Sequence, residues 1–115
     1  MVAKIAIADD DPDTLDLIGD ILGGPSTQIY KAASGAELVV LLGKYGPFDL
    51  IVTDIDMPWM DGLAAIRSAR VSEIEAPVLV ISGIAKPDLP AEVERLGNAR
   101  FLSKPIEVAA LREAV

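Results

Sequence analysis

Five polar residues in this sequence could carry chemistry, although they come from separate parts of the chain. Asp9 and Asp10 end the apolar run VAKIAIA, Asp54 follows the run LIVT, Ser82 follows VLVI, and Lys104 follows RFLS. Carboxylates gathered in one place repel one another unless a cation joins them, and Mg²⁺ is a hard cation that prefers oxygen ligands. Beside such a metal, a carboxylate can act as a nucleophile and form an aspartyl phosphate. The residue types therefore favour phosphoryl transfer, with Asp54 as the acceptor.

Ser82 and Lys104 suit the other half of that chemistry. Phosphoryl transfer develops negative charge on the phosphoryl oxygens, and a hydroxyl donor and an ammonium group stabilise that charge. The chain has neither histidine nor cysteine, so the commonest general base, thiolate catalysis and thiolate-bound zinc are excluded. Any chemistry must use carboxylates, hydroxyls and amines.

These residues can act together only if the fold brings them to one place, and the order of the apolar runs predicts that it does. The runs predict strands at residues 2–8, 27–33, 50–53, 76–82 and 100–103. Helical spacing and capping residues predict helices that begin near Pro12, Ser34, Asp61, Pro90 and Ile106. Strands that alternate with helices form a parallel sheet covered on both faces, which is a doubly wound α/β fold. The carboxyl ends of the strands then lie at one edge of the sheet, where such folds build their sites.

The pattern also predicts the character of single elements. Residues 27–33 include polar positions, so this strand is expected at an edge of the sheet. Pro87 and Pro90 confine the fourth helix, which should be short. The last helix runs only to Val115 and could be truncated, and residues 1–115 are predicted to form one domain.

Charge and hydropathy exclude other classes of protein. The formal net charge is −8, which disfavours binding to the phosphate backbone of nucleic acids. The first apolar run is too short for a signal peptide, and no run reaches the roughly 20 apolar residues of a membrane span. We therefore expect a cytoplasmic protein that binds neither a membrane nor nucleic acid directly.

Taken together, the motifs resemble the receiver domain of two-component response regulators, in the CheY-like superfamily. The resemblance rests on the pair Asp9-Asp10, the segment TDIDMPWMDG around Asp54, Ser82 after an apolar strand, and FLSKP ending in Lys104-Pro105. It extends over essentially the whole chain. It implies a five-stranded (βα)5 flavodoxin-like fold with strand order 2-1-3-4-5, the order found in chemotaxis members of this family.

The resemblance also implies a function. A partner histidine kinase or histidine phosphotransfer protein would supply a phosphoryl group to Asp54. Mg²⁺, with Mn²⁺ as an alternative, would be held by Asp10, Asp54 and the backbone carbonyl of Asp56, with Asp9 in support. Such a domain is a signalling phosphoacceptor in a phosphorelay and catalyses only its own phosphorylation and dephosphorylation.

A conformational switch is the next implication of the resemblance. The phosphoryl group would draw Ser82 inward and change the rotamer of Phe101, where receivers commonly carry tyrosine. The Lys104-Pro105 peptide bond is expected to be cis, and the family analogy also allows a homodimer through the fourth and fifth helices. The output partner and the cognate kinase are not readable from the sequence.

Two neighbours of the site are predicted to tune the lifetime of the phosphorylated state. Gly83 leaves open space for an attacking water, whereas Asp56 adds negative charge near the phosphoryl group. Their effects are expected to oppose one another.

Two other functions compete with this interpretation. Asp54-Ile55-Asp56 imitates the nucleophile and acid pair of haloacid-dehalogenase-type phosphatases, but those enzymes place the pair after the first strand and follow it with Gly-Thr or Gly-Val. Here Met57-Pro58 follows. A receiver-like domain that binds partners without phosphorylation is the other alternative, and the presence of every acceptor-site residue counts against it.

Overall fold

The computed structural model of the protein describes residues 3–57, 60–83 and 87–114, in which strands and helices alternate. The elements are β1 (Ala3–Ala8), α1 (Pro12–Leu22), β2 (Thr27–Ala32), α2 (Gly35–Tyr45), β3 (Leu50–Asp54), α3 (Gly62–Val71), β4 (Val78–Ser82), α4 (Leu89–Leu96), β5 (Ala99–Ser103) and α5 (Val108–Ala114). The strands form one parallel sheet in the order β2-β1-β3-β4-β5. The α/β class, the strand order and the edge position of β2 are confirmed.

The central strands β3 and β4 are buried along their whole lengths. Ile51 and Val80 belong to the core on the face covered by α2, α3 and α4, whereas Val52 and Leu79 belong to the core on the face covered by α1 and α5. Successive residues of a strand point to opposite faces, so a strand with two covered faces has a continuous apolar sequence. This explains why these segments show no alternation of polar and apolar residues.

Side-chain caps fix where the first three helices begin. The capping oxygens belong to Asp11, Ser34 and Asp61, and each accepts a hydrogen bond from a backbone N–H in the first turn of its own helix. Helix α4 is short, as its two prolines predicted. Among the residues that the structure describes, no helix has the length and apolar character that a membrane crossing requires.

Two predicted boundaries were wrong by two residues each. Strand β4 begins at Val78 rather than at residue 76, since the carbonyl of Ala76 accepts a hydrogen bond from Arg70 and not from a neighbouring strand. Helix α5 begins at Val108 rather than at Ile106, whose side chain packs against the core beneath α1 and α5. Val2, predicted as the first residue of β1, lies outside the described residues.

Arg70, near the end of α3, links α3 to the end of α4. Its guanidinium donates to four backbone carbonyls, those of Leu96 (3.1 Å), Ile74 (2.8 Å), Ala76 (3.0 Å) and Gly97 (2.7 Å). These carbonyls lie at the C-terminal end of α4 and in the connection from α3 to β4. Because a charged donor makes each hydrogen bond stronger than a neutral one would, this side chain stabilises both connections.

Replacing Arg70 with methionine should destabilise the fold strongly. The variant leaves four carbonyls without their donor, and we expect the free energy of unfolding to fall by about 2–4 kcal/mol in urea titrations. Arg67→Met, in the same helix, is the matched control, because among the described residues Arg67 makes an exposed ion pair with Glu92 at 3.9 Å. That control should change stability by less than about 0.5 kcal/mol. Equal losses in the two variants would contradict the role assigned to Arg70.

Candidate functional site

Three acids meet at the carboxyl edge of the sheet. Asp9 and Asp10 follow β1 and Asp54 ends β3, and a carboxylate oxygen from each lies within 4.8 Å of the others. We call Asp9, Asp10 and Asp54 the carboxylate cluster. Asp9 is 1% exposed and Asp54 is 4% exposed, whereas Asp10 is open to solvent. Two buried negative charges at this distance require a compensating cation.

Lys104 provides that compensation from the loop after β5. Its Nζ donates to Asp9 Oδ2 and to Asp54 Oδ2, at 3.2 Å in each case. Its backbone N–H donates to the carbonyl of Ser82 at 2.8 Å, which fixes the loop against the end of β4. Burial alone would lower the pKa of Lys104, but the charges of Asp54 and Asp9 outweigh burial and raise it. The side chain therefore remains an ammonium group that both carboxylates share.

Asp9 is held in place from its other side as well. Its Oδ1 accepts the backbone N–H of Asp11 at 2.9 Å. Burial raises the pKa of Asp9 above its ordinary value, and the charge of Asp54 adds to this, although the bonds from Asp11 and Lys104 oppose it. The ionised form of Asp9 is thus costly in the folded state without a further cation.

Asp54 has one carboxylate oxygen fixed by the backbone and the other directed to the cluster. Oδ1 accepts the N–H of Ile55 at 2.8 Å and that of Asp56 at 3.4 Å, whereas Oδ2 accepts from Lys104. The side chain is therefore oriented by the first turn of the loop that follows β3. Such an arrangement limits the rotation of the carboxylate and leaves Oδ2 facing the cluster.

The other predicted site residues lie on β4, on β5 and in the loop after β3. Ser82 ends β4 and is 2% exposed. An added Cβ at Gly83 would lie 3.6 Å from Cβ and Cδ of Lys104, an ordinary contact. Phe101, on β5, is half-buried against the core beneath α2, α3 and α4. Asp56 is half-buried in the loop after β3.

The Lys104-Pro105 peptide bond is cis, as the family resemblance predicted. The Gly46-Pro47 bond is also cis, and no feature of the sequence indicated it. Pro58 and Trp59, which follow Asp54 closely along the chain, lie outside the described residues.

Sequence reasoning missed the close approach of Gly62 to the site. An added Cβ at Gly62 would lie 2.1 Å from the carbonyl oxygen of Asp54 and 2.7 Å from Oγ1 of Thr53. Only glycine fits at this position without movement of the backbone. The signal available in the sequence was a glycine directly after a capping aspartate, which is too common to identify such a contact.

The carboxylate cluster fits a divalent metal ion. All three side chains offer oxygen, the ligand that hard cations prefer, and the exposed Asp10 leaves one side open for water to complete the coordination. A divalent cation would also offset the charge that makes the ionised form of Asp9 costly. The pocket can therefore bind such an ion among groups suited to phosphoryl chemistry.

Comparison with known proteins gives consistent matches. The family model described as response regulator receiver domain matches residues 5–115. Sporulation initiation phosphotransferase F of Bacillus subtilis is 27% identical over 100% of this chain and 92% of its own length. Response regulator protein PilR of Pseudomonas aeruginosa is 31% identical over 97% of this chain, which spans only 25% of PilR.

A solved structure with a similar fold supports this match. The CheX-CheY-BeF3-Mg²⁺ complex from Borrelia burgdorferi contains a chain with a TM-score of 0.87 and 28% identity. The match covers 97% of this chain and 85% of that one.

Replacing Asp9 with asparagine should stabilise the metal-free protein at neutral pH. Because the pKa of Asp9 is raised in the folded state, its ionisation costs stability once the pH exceeds the ordinary carboxyl pKa. In EDTA, we expect Asp9→Asn to raise the free energy of unfolding by about 1 kcal/mol near neutral pH. The gain in the free energy of unfolding should vanish as the pH falls below the ordinary carboxyl pKa, because Asp9 is then protonated in both the folded and the unfolded protein.

A series of urea titrations at different pH values measures this effect. Asp20→Asn is the control, since it removes the same charge from an exposed position on α1. The control should leave stability nearly unchanged at neutral pH, because surface substitutions of this kind have small effects. A neutral-pH stability of Asp9→Asn at or below that of the parent protein would contradict the prediction.

Proposed function

The chain belongs to the response regulator receiver domain family and has that family's phosphoacceptor role in signalling, and from this premise we propose that Asp54 receives the phosphoryl group. The observation that carries the proposal is the position of its carboxylate. Oδ1 is held by two backbone N–H groups, and Oδ2 faces the Lys104 ammonium within the carboxylate cluster. We further propose that residues 1–115 act as one receiver domain.

We propose Mg²⁺ as the resident ion, with Mn²⁺ as an alternative. Asp10, Asp54 and the backbone carbonyl of Asp56 would hold it, and Asp9 would support it. When bound, the ion neutralises charge on the phosphoryl oxygens. The oxygen-only donor set supports this assignment, and the Borrelia protein was solved with BeF3 and Mg²⁺ at 28% identity to this chain.

The positions of these side chains support the following reaction. An oxygen of Asp54 attacks the phosphorus of a partner's phosphohistidine, the phosphorus–nitrogen bond breaks, and the imidazole leaves. The donor is a histidine kinase or a histidine phosphotransfer protein, and its phosphohistidine belongs to another domain or protein because residues 1–115 contain no histidine. The Lys104 ammonium, already shared between two oxygens, can transfer one hydrogen bond to a phosphoryl oxygen through rotation of its flexible side chain. The chain thus assists its own phosphorylation and dephosphorylation and turns over no separate substrate.

Ser82 and Phe101 respond to phosphorylation of Asp54 and transmit the conformational change. The Ser82 hydroxyl, at the end of β4, moves toward the phosphoryl oxygens and donates to one of them. Phe101, half-buried on the neighbouring strand, adjusts its rotamer as the end of β4 moves. Because phenylalanine has no hydroxyl, the switched state of this ring is stabilised by packing alone. A homodimer through α4 and α5 and a cytoplasmic location stay predictions.

Acetyl phosphate with Mg²⁺ should add one phosphate to the protein, as measured by intact mass. Asp54→Ala should abolish the adduct, because it removes the nucleophile, and Asp20→Asn should leave it unchanged. Absence of an adduct on the parent protein, with both this donor and a cognate kinase, would refute the phosphoacceptor assignment. Steady turnover of a generic phosphomonoester would instead favour the phosphatase alternative.

The lifetime of the phosphorylated state should respond in opposite directions at two positions. Asp56→Asn removes negative charge that opposes an incoming nucleophile, so the half-life should shorten. Gly83→Ala places a methyl group in contact with Lys104 where water would approach, so the half-life should lengthen. Each change should be a few-fold, on the order of 0.5–1 kcal/mol in the barrier. Loss of the phosphate adduct over time measures both, and unchanged half-lives would rule out this tuning.

A further inference from the structure

We propose that Gly35, the first residue of α2, is a positioning residue for the acceptor site, an inference that rests on the proposed function of Asp54. The N–H of Gly35 donates to the carbonyl of Met60 at 2.9 Å. An added Cβ at Gly35 would lie 2.0 Å from that oxygen and 2.9 Å from the carbonyl oxygen of Asp61. A carbon atom cannot approach a carbonyl oxygen so closely. Any side chain here would therefore force the start of α2, or the backbone at Met60 and Asp61 in the loop between β3 and α3, to shift.

The backbone that follows Met60 and Asp61 is also in close contact with the end of β3. The N–H of Gly62 donates to the carbonyl of Ile55 at 3.2 Å, and its Cα lies against the carbonyl of Asp54, since an added Cβ would be 2.1 Å away. The backbone from Met60 to Gly62 thus lies between the start of α2 and the exit of β3. A shift of this backbone caused by a side chain at residue 35 would therefore also move the backbone of Asp54.

The groups that such a shift would move are those that the proposed chemistry needs. The N–H groups of Ile55 and Asp56 orient the Asp54 carboxylate, and the carbonyl of Asp56 is a proposed metal ligand. A displacement of a fraction of an ångström would misalign these N–H groups and this carbonyl. Gly35 therefore acts on the reaction through the loop and touches no reacting atom.

The contact does not serve merely to begin α2. Ser34 already caps that helix through the N–H of Glu37 at 3.1 Å. Gly43, in the same helix, has nothing within 4 Å of an added Cβ. The requirement for glycine at position 35 comes from the loop and not from the helix.

Three variants separate positioning from stability. Gly35→Ala should weaken Mg²⁺ binding and slow phosphorylation by acetyl phosphate, each on the order of tenfold. Gly43→Ala should change neither. Ser34→Ala should lower the urea midpoint through loss of the cap but leave Mg²⁺ affinity unchanged. Isothermal titration calorimetry measures Mg²⁺ binding, intact mass measures the phosphorylation rate, and urea titration measures stability.

The inference would be overturned if Gly35→Ala left the Mg²⁺ affinity unchanged. It would also be overturned if Ser34→Ala lowered the Mg²⁺ affinity as much as Gly35→Ala does. A parent protein that takes no phosphate would refute the proposed function, and the Mg²⁺ titrations would still decide the role of Gly35. If Gly35→Ala does not fold, amide exchange in the parent protein provides the test. Mg²⁺ should slow exchange of the Gly35 N–H more than that of Gly43, and equal effects at the two positions would overturn the inference.

Discussion

The site depends on one ammonium group shared by two buried carboxylates. Lys104 Nζ lies 3.2 Å from an oxygen of Asp9 and 3.2 Å from an oxygen of Asp54. In surroundings of low polarity, two carboxylates without a cation would repel one another and favour protonation. The three residues come from the ends of β1, β3 and β5, so they meet only when these strands have paired in one sheet with β4 between β3 and β5. The charges of the site are therefore balanced only when these strands pair correctly.

The architecture was predictable because each local signal agreed with the global arrangement. The continuous apolar sequences of β3 and β4 indicated burial on two faces, and Asp11, Ser34 and Asp61 each cap the helix that follows. Parallel strands place their carboxyl ends together, so the meeting of Asp9, Asp54 and Lys104 followed from the topology. Agreement across levels of this kind is what makes a sequence specify one fold.

Other features were not predictable because they depend on where distant backbone groups lie in three dimensions. The four carbonyls bound by Arg70 belong to two separate connections, and no sequence spacing relates them to one guanidinium. The glycine requirement at position 35 arises from a carbonyl in another loop. The start of β4 was misplaced for the same reason, since the carbonyl of Ala76 bonds to a side chain of another element. Long-range packing decides such details, and local propensity does not.

The central claim is that Asp54, and no other acid of the cluster, carries the phosphoryl group. Borohydride reduction of an aspartyl phosphate yields homoserine, which peptide mass mapping can locate in the sequence. After phosphorylation with Mg²⁺ and acetyl phosphate, we expect homoserine at position 54 alone. Homoserine at position 9, 10 or 56, or its absence from a protein that carries the phosphate adduct, would contradict the claim.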